Sequence, residues 1–380
     1  MPCRLFRPLI PAILCLAVLI AFPAVTGAQT AKTQTKTQAK APAKTPAKAK
    51  TPAKAQAKTP AKAPAKTPAK AQVKDPAKDA AEAMEATPKT QAPIFYTVGN
   101  AQVFVLTDLE RDMPVSIFTT GPGEKKLLEM APSGSVPAGV RSFLVKHANA
   151  VSLIDAGSRD PDQSKLIERI KDLGIEPDQV NFILLTHMHF DHIAGLLRDT
   201  RVSFPKALLK VSSPEKSYWA AAFPKALVKV SSPEKDYWVD KKSLAKKPDQ
   251  QKNFDLVRQL ISVYGKMVST FNFGDTVAPG ITSLDASGHT PGHAAFLLES
   301  NGSHMLFWGD TVHGAAFQFQ NPNICASYDM DPEKSVELRK KLMNFAAEQN
   351  IPVAGAHLPG SGVVKITPAK EPGSFAYKPL

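Results

Sequence analysis

The stretch Thr186–Leu196, THMHFDHIAGL, governs how the rest of this chain is read. Directly before it, NFILLT (181–186) is short and almost wholly apolar. That is the pattern of a strand covered on both faces. His187, His189, Asp191 and His192 then crowd into six residues. Neither a helical face nor a strand alternation accounts for that density. On a tight loop leaving a strand, four such side chains can face one point. Imidazole nitrogens together with carboxylate oxygens suit Zn²⁺ or a similar borderline cation. A polar loop with incidental histidines is the bland alternative, and it explains the clustering poorly.

Three later stretches carry metal-capable side chains, each where an apolar run gives way to a loop. SGHTPGHAAF (287–296) offers His289 and His293 on a Gly/Pro turn, FWGDTVHG (307–314) offers Asp310 with His313 nearby, and AGAHLPGSG (354–362) offers His357. Strand-to-loop junctions are where a packed sheet presents functional groups. Singly, each reads as a solvated turn histidine or a capping carboxylate. Taken with 186–196, they form an ordered donor set large enough for two cation sites.

Working outward, strands and helices interleave without a single repeating period. AQVFVLTD (101–108) reads as a strand, and VRSFLVKHANAVSLIDAG (140–157) as two strands around the turn KHANA. Leu166, Ile167, Ile170 and Leu173 have helical spacing, closed by Gly174 as a C-terminal cap. Helices are predicted over 254–267 and 335–350, and strands over 281–287, 294–300, 304–310 and 352–357. Two layers of sheet flanked by helices fit this order.

The first ninety residues belong to a different class. Arg4 and Arg7 precede an apolar run from Leu9 to Phe22, and small residues follow to Ala28. That is a secretory-signal layout over 1–28, and it predicts a periplasmic or secreted protein. An uncleaved anchor is the alternative. Residues 29–93 are Lys, Ala, Pro, Thr and Gln with almost no larger apolar side chain. Such a segment cannot offset its ordering entropy and is expected to be a disordered tether. It also carries the charge. Residues 30–92 hold 14 lysines against four acids, so of the chain's net +13 only about +1 falls after residue 92. The domain expected over 94–380 is therefore nearly neutral, which argues against a specific nucleic-acid surface. The tail suits contact with anionic envelope polymers. Of the three cysteines, only Cys325 lies beyond the expected leader, so no disulfide framework is predicted.

Residues 204–241 say nearly the same thing twice. FPKALLKVSSPEKSYW (204–219) and FPKALVKVSSPEKDYW (223–238) agree at 14 of 16 positions, offset by 19 residues. Two copies do not make a solenoid. The pattern reads as a tandem duplication inside one surface segment, which costs little closure entropy. One copy is expected to keep the sheet position.

The order H-x-H-x-D-H, then G-H-T-P-G-H, then W-G-D, then A-H resembles the metallo-β-lactamase fold superfamily. The FP-A-V and acidic-Tyr-Trp pattern around 223–238, with A-HLP--G at the end, resembles its periplasmic branch of methyl-parathion hydrolase and related lactonases. The resemblance implies an α/β chain folded as a four-layer αββα sandwich with a single catalytic domain. It assigns His187, His189 and His293 to one metal, and Asp191, His192 and His357 to a second, with Asp310 bridging both. It leaves His289 to shape the turn. Two divalent ions are implied, zinc first, with iron, manganese or cobalt as alternatives. The implied activity is hydrolysis of a small lactone, ester or organophosphate by a hydroxide held between the metals, with Asp191 and Asp310 as the catalytic carboxylates. Trp238, Phe118, Phe317 and His313 are the expected pocket residues, with Trp238 preferred over Trp219. A homodimer is compatible with the resemblance. The rival readings are a β-lactamase-type hydrolase and a mononuclear-iron persulfide dioxygenase, the latter disfavoured by the export signal.

Overall fold

A computed structural model describes residues 93–118, 124–158, 164–199 and 219–380. The expected leader and nearly all of the tether lie outside the described residues, as does most of the first copy of the duplication (204–218). The strands are β1 (Phe95–Val98), β2 (Ala101–Pro114), β3 (Ser135–His147), β4 (Ala150–Ile154), β5 (Phe182–Leu184), β6 (Leu197–Asp199), β7 (Trp219–Ala221), β8 (Leu227–Ser231), β9 (Val268–Phe271), β10 (Thr276–Ala278), β11 (Ile281–Asp285), β12 (Ala294–Ser300), β13 (Ser303–Phe307), β14 (Val353–Ala354), β15 (Val363–Pro368) and β16 (Phe375–Pro379). One sheet has the order β1-β2-β3-β4-β5-β8-β9 and the other the order β10-β11-β12-β13-β14-β15-β16. The short pair β6-β7 stands apart from both.

The helices are α1 (Glu124–Met130), α2 (Leu166–Asp172), α3 (Phe190–Ile193), α4 (Ser232–Val239), α5 (Lys241–Lys246), α6 (Gln251–Tyr264), α7 (Ala315–Gln318) and α8 (Pro332–Glu348). Their apolar spacing dictates the layers. In α6, Phe254, Val257, Leu260 and Tyr264 recur at three- and four-residue steps and are buried against Leu153, Ile183, Val228 and Val230 of the first sheet. In α8, Leu342, Met343 and Ala346 pack on Leu306, Val353 and Val364 of the second. Asp331 caps that helix by accepting from the Lys334 amide at 3.1 Å, and Pro332 opens it.

Strands buried on both faces hold the middle together. Along β12 and β13, Phe296, Leu298, Met305 and Phe307 turn toward the first sheet, while Ala295 and Leu306 turn toward α8. Phe143 and Phe307 meet across the sheets with ring centroids 5.4 Å apart. The result is an αββα sandwich. Truncating one of these inner aromatics to alanine costs about 3–5 kcal/mol.

The expected strands and helices are present, and the hairpin β2–β3 runs longer than the sequence pattern suggested. Residues Leu109–Pro114 pair with Ser135–Val140, beyond the part of β3 that pairs with β4. This extension overhangs the strand ends described next. The second copy of the duplication supplies β8 and α4, and β8 lies parallel between β5 and β9.

Candidate metal centre

Four strand ends deliver the site. The loop after β5 carries His187–His192, the β11–β12 turn carries His289, and Asp310 and His357 follow β13 and β14. Among the described residues, four overlapping groups of donor atoms each lie within 4.8 Å: His187, His189, His289 and Asp310; Asp191, His192 and His357; and two that include His313, with His289 and Asp329 or with Asp310 and His357. The first two are the candidate cation sites.

In the first group, His189 Nδ1 lies 3.0 Å from both His187 Nε2 and His289 Nε2. Asp310 Oδ2 is 3.4 Å from His289 Nε2 and 3.7 Å from His187 Nε2. In the second, Asp191 Oδ2 is 3.5 Å from His357 Nε2, and Asp191 Oδ1 is 3.9 Å from His192 Nε2. Asp310 reaches this group too, with Oδ1 3.1 Å from His192 Nε2 and Oδ2 3.2 Å from His357 Nε2. Ligands sharing a tetrahedral cation through bonds of about 2.0–2.1 Å stand about 3.3 Å apart. The donors therefore fit, with Asp310 between the two groups.

Four of the five rings, those of His187, His192, His289 and His357, are set by a partner on their outer side. His192 Nδ1 faces Asp155 Oδ2 at 2.8 Å, and His289 Nδ1 faces Asp329 Oδ1 at 2.9 Å. His357 Nδ1 donates to the Gly139 carbonyl at 2.7 Å. Thr186 Oγ1 donates to Asp155 Oδ2 at 2.8 Å and stands 3.1 Å from His187 Nδ1. With the outer nitrogen carrying the proton, each Nε2 lone pair points inward. Asp155 adopts a left-handed backbone (φ 56°), uncommon for a side chain of this type, and both its oxygens are engaged.

The electrostatics fit a cation between the two groups. His192 Nε2 and Asp310 Oδ1 are buried without a hydrogen-bond partner, and such orphaned atoms are costly unless a cation or proton lies between them. Burial pushes His192 downward, but Asp310, Asp155 and Asp191 outweigh it and hold the imidazole well above its usual range. Burial likewise opposes ionisation of Asp310, and His192, His357 and His187 overcome it, leaving the carboxyl well below its usual range. His187 and His189 are driven well below the ordinary histidine value, chiefly by burial. The centre is built for concentrated positive charge.

The turn 288–293 carries two histidines, and the structure places them differently. His289 stands among the donors of the first group, whereas His293, which the resemblance assigns to that metal, lies behind Asp310. His293 Nδ1 donates to the Ala286 carbonyl at 2.8 Å, and its Nε2 accepts from the Asp310 amide at 3.1 Å. Both ring nitrogens are thus committed to backbone, and burial holds the ring neutral with a pKa of about 3. In this arrangement the ring braces the Asp310 backbone. Gly309 helps, since at φ 52° its missing Cβ would stand 2.5 Å from His293 Nε2.

A cleft of about 390 Å³ lies over the centre. Trp238 and His313 line it, together with Met113, Phe190, Tyr328 and Arg111. Phe118 and Phe317 do not line it. They pack edge to face at 5.1 Å in a small accessory core with Leu127 and Ile324, because the β2–β3 extension and α7 need an apolar interior of their own. The Trp219 side chain lies outside the described residues. Asp155, Asp329 and Glu234 were missed by the sequence reading. Of these, only Asp155, ending an apolar strand before Ala-Gly, left a signal.

A four-layer αββα sandwich that gathers histidines and aspartates at its strand ends is a metallo-hydrolase architecture. The sequence profile of the metallo-beta-lactamase superfamily matches residues 136–348, and the protein belongs to that superfamily. Among solved structures, it is similar to the hydrolase AbOPH of the beta lactamase superfamily at 28% identity and TM-score 0.66, covering 76% of this chain and 97% of that one. It shares its fold with AidC, a dizinc quorum-quenching lactonase, at 20% identity and TM-score 0.65, with 76% and 97% covered. A probable metal-dependent hydrolase from Staphylococcus aureus matches at 21% identity and TM-score 0.59, with 74% and 98% covered. No curated protein sequence matches the chain.

Proposed function

We propose that this protein is an exported hydrolase of small lactones, esters or phosphotriesters that works with two divalent cations, zinc first. The observation that carries the reading is the pair of orphaned buried atoms, His192 Nε2 and Asp310 Oδ1, amid two converging donor groups. His187, His189, His289 and Asp310 would hold one cation, and Asp191, His192, His357 and Asp310 the other. When bound, such a pair lowers the pKa of a shared water and polarises a carbonyl or phosphoryl oxygen.

The chain's own groups do the rest. Asp310, with a side chain only 4% exposed, serves both positions and keeps them close. The Asp191 side chain is 23% exposed and lines the cleft floor, so it can carry a proton from the attacking water to the leaving oxygen. Phe190 and Tyr328, about half exposed, give the cleft mouth an apolar surface for an acyl or aryl group. The nearly neutral domain and the leader-like start support a small-molecule substrate met outside the cytoplasm.

The test is metal content per chain together with catalytic efficiency on homoserine lactones, aryl esters, phosphotriesters and β-lactams, before and after chelation. The reading expects two metals and chelator-sensitive cleavage of one of the first three classes. A preparation that holds one iron, consumes oxygen with a thiol persulfide and cleaves no ester refutes it. Preference for β-lactams replaces the substrate class and leaves the metal chemistry standing. Fractionation of the source cells tests the location.

A further inference from the structure

Glu234 is fully buried, yet it stands in the first turn of α4, where a glutamate ordinarily faces water. Its carboxylate accepts four hydrogen bonds. Oε1 takes the Met188 amide at 2.8 Å and the Trp238 indole N–H at 2.7 Å. Oε2 takes the Thr290 hydroxyl at 2.6 Å and the Gly292 amide at 3.0 Å. Met188 sits between His187 and His189, while Thr290 and Gly292 follow His289. One side chain thus joins the two loops that bring three donors together.

The surroundings reinforce the connection. The Met188 carbonyl accepts from Asn253 Nδ2 at 2.8 Å, so the residue between the two histidines is held at both its N–H and its C=O. Ser231 Oγ donates to the Gly292 carbonyl at 2.5 Å and accepts from the Glu234 amide at 3.3 Å. A Cβ on Gly292 would run into the Glu234 backbone, so the loop and α4 are in contact with no side chain between them. Burial pushes the carboxyl upward, while the four donors favour its ionised form. A buried carboxylate so fully engaged is expensive to leave half-paired, which makes it a rigid connector.

We propose that Glu234 is a positioning residue of the metal centre, its carboxylate setting the separation of the His187–His189 loop from the His289 loop and tying both to Trp238 on the cleft wall. The inference rests on the metallo-hydrolase reading, and the experiment below separates the two. It also gives the second copy of the duplication a task, since Glu234 and Trp238 both belong to it.

Glu234→Gln keeps the size but turns one acceptor into a donor. Whichever way the amide faces, its NH₂ meets either the Gly292 N–H or the Met188 and Trp238 N–H pair. Zinc-loaded wild type and variant are freed of excess metal, and release into a chelator is followed by a colorimetric indicator. Denaturant midpoints of the metal-free forms are measured in parallel. The variant is expected to release zinc about 10- to 100-fold faster. Thr290→Val, which removes one of the four bonds, is expected to release it about two- to tenfold faster, the equivalent of one hydrogen bond. A merely structural role lowers the metal-free midpoint and leaves the release rate alone. If wild type holds zinc and Glu234→Gln and Thr290→Val both release it at the wild-type rate, the inference is overturned. Should Glu234→Gln not fold, Thr290→Val alone decides. If wild type takes up no zinc, the metal-centre reading itself falls.

Discussion

Replacing His289 and His293 by alanine, one at a time, tests which of the two is the ligand in the proposed centre. His293→Ala leaves the Ala286 carbonyl and the Asp310 amide buried without their partner. Each orphaned group costs about 1–3 kcal/mol, so the metal-free protein should lose about 2–6 kcal/mol. For a domain of this size that is a fall in Tm of about 3–10 °C. His289→Ala removes an inward Nε2 but leaves Asp329 bonded to the Ala326 amide at 3.2 Å and to Arg339 Nη2 at 3.3 Å. Its metal-free stability should change less than that of His293→Ala, while zinc binding at the first position weakens by more than the roughly 100-fold upper range for outer partners. Thermal melts of chelated protein and zinc stoichiometry after desalting report the two quantities separately. If His293→Ala melts like wild type and holds one metal fewer while His289→Ala keeps both, the geometry argued for this turn is wrong.

Asp310→Asn should drop bound zinc from two to at most one per chain by elemental analysis, since Asp310 is the donor that reaches both groups. Retention of two metals with unchanged activity would remove it from the bridging role. His293, depressed to about 3, contributes stability that is fully present above its unfolded value near 6.5 and is lost as pH falls toward 3. In chelated protein, the gap in unfolding free energy between wild type and His293→Ala should therefore narrow by about 1.4 kcal/mol per pH unit below 6.5. A gap independent of pH refutes the neutral ring. Trp238 lines the cleft and Trp238→Phe should change KM among substrates of different acyl or aryl bulk, whereas Trp219→Phe should not. The opposite pattern would assign the cleft wall to the first copy.

Local signals carried most of the fold. The apolar runs 181–186 and 294–298 and the three-to-four-residue steps in 254–264 each fixed an element, because burial on one or two faces leaves a pattern that the sequence alone records. The crowding in 186–192 likewise marked the site. What stayed illegible depended on distance in the chain. His289 and His293 both follow a glycine on one turn, and only the positions of Asp329, 40 residues on, and of the Ala286 carbonyl tell them apart. Nothing in the local sequence marks Glu234, because its four partners come from three separate segments. Phe118 and Phe317 were indistinguishable from cleft residues until the overhanging hairpin required a core of its own.

The outer partners also prearrange a site so rich in histidine. Asp155, Asp329, the Gly139 carbonyl and Thr186 engage the outer nitrogens, so the inward lone pairs of His187, His192, His289 and His357 are directed together whether or not a cation is present. Lone pairs facing two carboxylates repel unless positive charge enters. In the metal-free chain, protons supply it, which is why His192 and His357 are raised while Asp310 and Asp191 are lowered. Cation binding must therefore displace protons from the same atoms, and affinity has to weaken as the solution becomes acid. The preorganisation comes from the outer partners and from the connector at Glu234, while the inner donors supply selectivity for charge. Removing an outer partner should thus cost metal retention first and fold stability second, whereas removing His293, a backbone support, should reverse that order.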